Sequence, residues 1–182
     1  TSFTVTRLPR IKISPRYNIM RLNESLQLDI MIADVINLTS WEIEIYYNST
    51  VLNATEIVEG TFLSNTGTTT FEIYDFTDNY NSTHGRIWLN CSLTSRDIGA
   101  SGNGTLTKIT FKAKTSEGYS WISLKGTKLI DNQRPPNYIQ HTSVNGFIIM
   151  GIHEIAVIKV IPHKTIVGVG SLLPIYVTVS NN

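Results

Sequence analysis

Seven asparagines head Asn-x-Ser/Thr triplets whose middle residue is never proline: Asn23, Asn37, Asn48, Asn53, Asn81, Asn90 and Asn103. The side-chain amide of such a triplet is the acceptor for N-linked sugar, so the chemistry written here is modification, and modification implies export. The chain's 15 Asn would give about three such triplets by chance. An excess of that size predicts a surface that carries glycans.

Other side chains could be drawn into chemistry, and each meets a simpler account. Gly99-Ala100-Ser101-Gly102-Asn103-Gly104 has the glycines of a phosphate-cradling loop, but a P-loop needs Lys-Ser/Thr and then a helix, whereas Thr105 opens a strand. Glu42 and Glu44 share one strand face and could pose as a glycosidase pair, yet nothing supplies the second wall of a cleft. His84, His141, His153 and His163 lack a His-x-x-x-His spacing. Asp75 and Asp78, with Asn79 and Asn81, make an oxygen-rich patch that calcium could use, without the Gly and terminal Glu of an EF-hand. A solvated loop is the simpler expectation, and neither metal nor other cofactor is expected. Cys91 falls on an inward register, as a small buried hydrophobe. Tyr46 and Trp88 are expected to project outward, as aromatics do at protein interfaces and on sugar platforms, unless a loop or glycan covers them. Trp121 fits either class. No nucleophile, base and orienting group come together, so the chain reads as non-enzymatic.

The elements that must position these residues are strands. At 182 residues, 41% hydrophobic and 16% charged, the chain can hold one well-cored domain and a small appendage. A formal net charge of +1 gives no reason to expect nucleic acid or an anionic membrane as partner. One cysteine excludes an intrachain disulfide, and no apolar run reaches the roughly 18 residues of a membrane span. A start at Thr1 without Met or signal peptide suggests a processed or excised segment. Period-two alternation runs throughout. Leu26, Leu28, Ile30 and Ile32 share a face, as do Trp41, Ile43, Ile45 and Tyr47, then Phe71 and Ile73, then Ile87, Leu89, Cys91 and Leu93, then Ile109, Phe111 and Ala113. Ile122 with Leu124, and Phe147 with Ile149, close the series. Turn signals such as Asn65-Thr66-Gly67 and Asn145-Gly146 separate the runs, and no stretch has helical periodicity. The expected fold is all-β, a two-sheet sandwich. Beyond Gly151 the character changes. Two more strands are expected, near 154–161 and 172–179, and Leu173, Ile175, Val177 and Val179 alternate as if made to bury against a sheet.

The stretch QLDIMIADVINLTSWEIEIYYNSTVL (27–52) resembles the second and third strands of cohesin modules, and GTFL (60–63), GRIWLNCSL (85–93), the 99–113 run, WISLKGTKLID (121–131) and NGFIIMG (145–151) follow where cohesins keep their remaining strands. The resemblance covers about residues 10–151. It implies a jelly-roll β-sandwich of about nine strands, without catalysis, that binds protein partners. In cellulosomes that partner is a calcium-loaded dockerin held on one sheet face. Many cohesins place Asp after the tyrosine where this chain has Asn48, and a glycan there would mask nearby surface. The sequon density makes the chain look like an archaeal surface version. The tail resembles the first two strands of a CARDB-type immunoglobulin-like repeat.

The expected organisation is therefore a cohesin-like sandwich over 1–151 and a two-strand tail over 152–182. The expected function is that of an extracellular, cell-surface structural or adhesion protein acting through protein contacts. Copies of itself are the leading partners, joined into a filament by donation of the tail strand centred on Leu173 to Val179. An excised partner-binding module of a larger adhesin and a carbohydrate-binding module are the alternatives.

Overall fold

In the computed structural model, which describes residues 7–151, 155–162 and 175–181, the chain divides into two compact units, Thr1–Gly151 and Ile152–Asn182. Among the described residues the first contains ten strands: β1 (Arg10–Ser14), β2 (Tyr17–Met20), β3 (Ser25–Asn48), β4 (Leu52–Glu59), β5 (Thr69–Thr77), β6 (His84–Leu93), β7 (Ala100–Ala113), β8 (Gly118–Asp131), β9 (Thr142–Val144) and β10 (Gly146–Met150). The all-β jelly-roll sandwich expected from alternation and resemblance is what forms. A single helical turn, α1 (Thr61–Ser64), interrupts it where none was expected, and buries Phe62 and Leu63.

The architecture hinges on β3. The two alternating runs around Leu28 and Ile43 are one continuous 24-residue strand. Its first half pairs antiparallel with β1 and β7, and its second half with β6 and β8. The same strand thus belongs to both layers. One sheet runs β9–β1–β3–β7–β4 and the other β2–β10–β8–β3–β6–β5. The crossing is made by two residues with left-handed backbone, Asp34 (φ 59°) and Asn37 (φ 56°), a conformation that Asp and Asn tolerate best after glycine. Irregular register with β7 brackets both positions. Their backbone amides are satisfied from β7: Asp34 N–H donates to Asn103 Oδ1 (2.7 Å) and Asn37 N–H to Ser101 Oγ (2.9 Å).

Between the sheets the inward faces of the alternating strands meet. Leu28, Ile30, Trp41, Ile43, Ile45, Tyr47, Ile87, Leu89, Ile109, Phe111 and Ile122 are all buried, as period two requires. Among the described residues no buried side-chain nitrogen or oxygen lacks a partner. Two expected faces differ. Ile73 is 46% exposed, because its strand is a sheet edge paired only to β6 among the described strands, with a register shift just after it. In β10 the inward residues are Ile148 and Met150, so Phe147 and Ile149 point outward. The segment FIIM is apolar on both faces, and alternation alone could not assign its register.

The second unit is described by its backbone. β11 (Ile155–Pro162) and β12 (Ile175–Asn181) pair antiparallel, with an irregularity between Val157 and Lys159.

Candidate functional site

The outward register of β10 creates the most distinctive surface of the first unit. Phe147 lies opposite Tyr17 of β2 on one side and Trp121 of β8 on the other; Ile149 lies opposite Ile19 and Tyr119. Two rungs of large apolar side chains therefore cross three neighbouring strands on the outer face of the second sheet. Tyr17 is 62% exposed, Ile19 53%, Tyr119 60% and Trp121 49%. The Phe147 ring packs 4.6 Å from Trp121 and 5.8 Å from Tyr119, centroid to centroid. Single exposed apolar residues are ordinary; a contiguous block on one sheet face is not, and such blocks mark binding surfaces.

Beyond β8 the same face becomes polar. Tyr46, on β3, is half-buried; its hydroxyl donates to Glu44 Oε2 (2.9 Å). Burial and then the Glu44 carboxylate raise the Tyr46 phenol above its ordinary pKa. The Tyr80 ring meets Tyr46 edge-on at 5.3 Å, and the Arg86 guanidinium sits 4.5 Å over Tyr80. Arg86 also pairs with Asp75 (2.6 Å), which lifts its pKa further. Trp88 is half-buried in this network rather than free: it packs 5.0 Å from Tyr74, and its indole N–H donates to Glu42 Oε1 (3.2 Å). Lys128 reaches the same oxygen (2.8 Å). Each glutamate of the Glu42/Glu44 pair is thus held by its own partners, with no arrangement for acid–base work.

Where β3 and β8 meet the connection between β5 and β6 there is an open groove of about 810 Å³. Its walls are Tyr46, Tyr80, Tyr119 and Trp121, and the sequon residues Asn48 and Asn81 stand in its lining. The exposed aromatics are better represented by Tyr119 and Trp121 than by Trp88. The signal was present in YSWISL (119–124), where Ser120, Ile122 and Leu124 alternate inward and the two aromatics outward.

The remaining candidates disperse. Asp75 faces Arg86, whereas Asp78 accepts from the Tyr47 hydroxyl inside the sandwich, so the two carboxylates serve different protein groups. Among the described residues no group of three or more His, Cys, Asp or Glu side chains is placed to share a metal. His84 bonds Thr83, and His141 bonds Thr127 and the Ile139 carbonyl; His153 and His163 lie outside the described residues. The Cys91 thiol is buried 3.5 Å from Glu59, and burial together with that carboxylate pushes its pKa up to about 12. A thiol so protonated is not a nucleophile. All seven sequon asparagines are at least partly exposed. Asn23 and Asn37 occupy left-handed positions, Asn53 lies on β4 and Asn103 on β7, and Asn90 sits mid-strand on the outer face of β6. Of the tail positions, Ile175, Val177 and Val179 lie on β12 opposite Pro162, Val160 and Val157, and Leu173 lies outside the described residues.

No family model matches the sequence, and no curated protein does. Solved structures of cohesins do match the fold. A type II cohesin domain from the cellulosome of Acetivibrio cellulolyticus superposes with TM-score 0.66 at 19% identity, over 78% of this chain and 95% of that one. A non-cellulosomal cohesin from the hyperthermophilic archaeon Archaeoglobus fulgidus gives 0.62 at 17%, over 79% and 91%. The type I cohesin–dockerin complex Coh-OlpA–Doc918 from Clostridium thermocellum gives 0.62 at 16%, over 79% and 99%. The first unit therefore has a cohesin-like jelly-roll fold.

Proposed function

We propose that this chain is a non-enzymatic, extracellular module that binds a protein partner on the outer face of its second sheet. The observation that carries the proposal is the pair of exposed apolar rungs, Tyr17–Phe147–Trp121 and Ile19–Ile149–Tyr119. Aromatic anchors beside a polar rim are the composition of a protein interface, and here the rim is the charged half of the same face. The likeness to a cohesin solved with its dockerin supports partner binding as the use of the fold. An extracellular setting is supported by the seven sequons; among the described residues no helix is long and apolar enough to cross a membrane. The test is affinity capture with the immobilised wild-type chain and with a Tyr119→Ala/Trp121→Ala variant. A partner retained by the first and lost from an equally stable second is expected; equal retention by both sinks the proposal.

The C-terminal pair supports a second use. A two-stranded sheet is marginal alone, and β12 carries the alternating segment Ile175, Val177, Val179. Donation of this strand to a sheet edge of a neighbouring copy would build a glycosylated filament. Deleting 153–182 should abolish fibres in electron micrographs; fibres that persist rule donation out. The tail also suits the opening of an immunoglobulin-like repeat in a longer adhesin. The exposed Tyr119 and Trp121 would serve a carbohydrate-binding module equally well, which glycan-array binding lost in Trp121→Ala would reveal.

A further inference from the structure

The groove beside the apolar rungs is bordered by two of the chain's own sugar acceptors. Asn48 ends β3, and Asn81 lies across the groove in the connection between β5 and β6. Both sequons fold into the same local device. Asn48 Oδ1 accepts from the Thr50 backbone N–H (3.0 Å) and the Thr50 hydroxyl (2.7 Å). Asn81 Oδ1 accepts from the Thr83 backbone N–H (2.9 Å) and the Thr83 hydroxyl (3.3 Å). In each case the carbonyl oxygen is engaged by the third residue of the triplet, which separates its role from that of the amide nitrogen, the atom that carries sugar. The Asn48 amide donates to the Tyr119 carbonyl (3.3 Å), so the acceptor nitrogen sits at the aromatic wall itself.

We propose that N-glycans on Asn48 and Asn81 cover the Tyr46–Tyr80–Tyr119–Trp121 groove and set how much of the docking face a partner can reach. The modification is a glycosyl transfer from a lipid-linked glycosyl phosphate. The amide Nδ2 bonds to the anomeric carbon, the carbon–oxygen bond to phosphate breaks with its electron pair on the phosphate oxygen, and one amide proton passes to base. Nothing is oxidised or reduced. The product amide keeps one N–H, the single donor left for the Tyr119 carbonyl. The aromatic walls suit the occupant: the electron-rich face of an aromatic ring attracts polarised C–H groups, and a sugar presents a sheet of them. Asn53 is the natural control. It stands on β4 in the other sheet and does not line the groove. The consequence for docking rests on the proposed function; the covering of the groove does not.

The experiment therefore reads the groove without a partner. Trp41 is buried and Trp88 is packed against Tyr74, so emission open to a neutral quencher comes chiefly from Trp121. The chain is secreted from an N-glycosylating host, its sugars are mapped by mass spectrometry, and acrylamide quenching is compared before and after enzymatic removal of glycans. Occupied Asn48 and Asn81 are expected, with a quenching constant about twofold lower in the glycosylated form. The Asn48→Gln/Asn81→Gln variant should match the sugar-free protein, and Asn53→Gln should match the glycosylated one. Bare Asn48 and Asn81, or quenching unchanged by sugar removal, overturns the assignment. Partner capture that is the same before and after sugar removal, with the quenching difference intact, would strike the docking consequence alone.

Discussion

The Tyr47 hydroxyl, from the inner face of β3, donates its hydrogen bond to the Asp78 carboxylate just past the end of β5. That carboxylate also accepts from the Ala54 backbone N–H (3.4 Å) at β4, so one acidic side chain ties three strands at the end of the sandwich. Tyr47 is fully buried. Asp78→Ala should therefore cost about 1–3 kcal/mol, the penalty for a buried hydroxyl deprived of its main acceptor. The same substitution in a Tyr47→Phe background should cost clearly less. Denaturant unfolding of the four proteins gives the coupling, and additive effects would mean that the bond contributes nothing.

Alkaline stability follows from two buried acids. Burial, followed by the hydrogen bond and charge of Asp78, raises the Tyr47 phenol well above its usual range, and Cys91 is pushed up to about 12. Both groups hold their protons longer folded than unfolded, where release occurs near 8.5 for Cys and near 10 for Tyr. Unfolding at high pH thus releases protons, and stability must fall as pH rises. The melting temperature should be level below about pH 8.5 and decline toward pH 12. Cys91→Ala should flatten the early part of that decline. A melting temperature independent of pH between 9 and 11 would contradict the buried placement of both groups.

The crossing of β3 between sheets depends on Asn37 in the left-handed region (φ 56°). Asn37→Gly should be nearly neutral in sugar-free protein, whereas Asn37→Val should cost about 1–2 kcal/mol through the steric conflict of a β-carbon there. Equal costs, measured by urea midpoint, would argue that the bend is not imposed at this residue.

Neighbouring residues of β10 should behave oppositely. Ile148 is buried and Phe147 faces outward. Ile148→Ala should cost about 2–5 kcal/mol, while Phe147→Ser should cost far less stability and weaken partner binding instead, by about 30-fold if the ring is an interface anchor. Reversed effects would mean that the strand register, and with it the docking face, is wrong.

The sandwich was legible because most strands have one wet face. In β6 the inward Ile87, Leu89 and Cys91 alternate with Arg86, Trp88 and Asn90, and the expected faces are those observed. The docking face was hidden for the complementary reason: in FIIM of β10 both faces are apolar, one for the core and one for a surface, so the pattern holds no information about register. Phe147 and Ile149 were expected to share a buried face and instead form the middle of the exposed block. The continuity of β3 was also invisible, because the inward face changes from even positions (Leu28, Ile30) to odd ones (Trp41, Ile43), which alternation reads as two separate strands. In the groove, Tyr46 was placed by alternation, whereas Tyr80 comes from an irregular connection that no periodicity describes.

The most direct test of the central claim is hydroxyl-radical footprinting of the chain alone and with its captured partner. The account predicts protection of Tyr17, Phe147, Tyr119 and Trp121, with little change at Val58 on β4 in the other sheet. Protection confined to β4 and β7, with these four side chains as reactive as in the free chain, would contradict it.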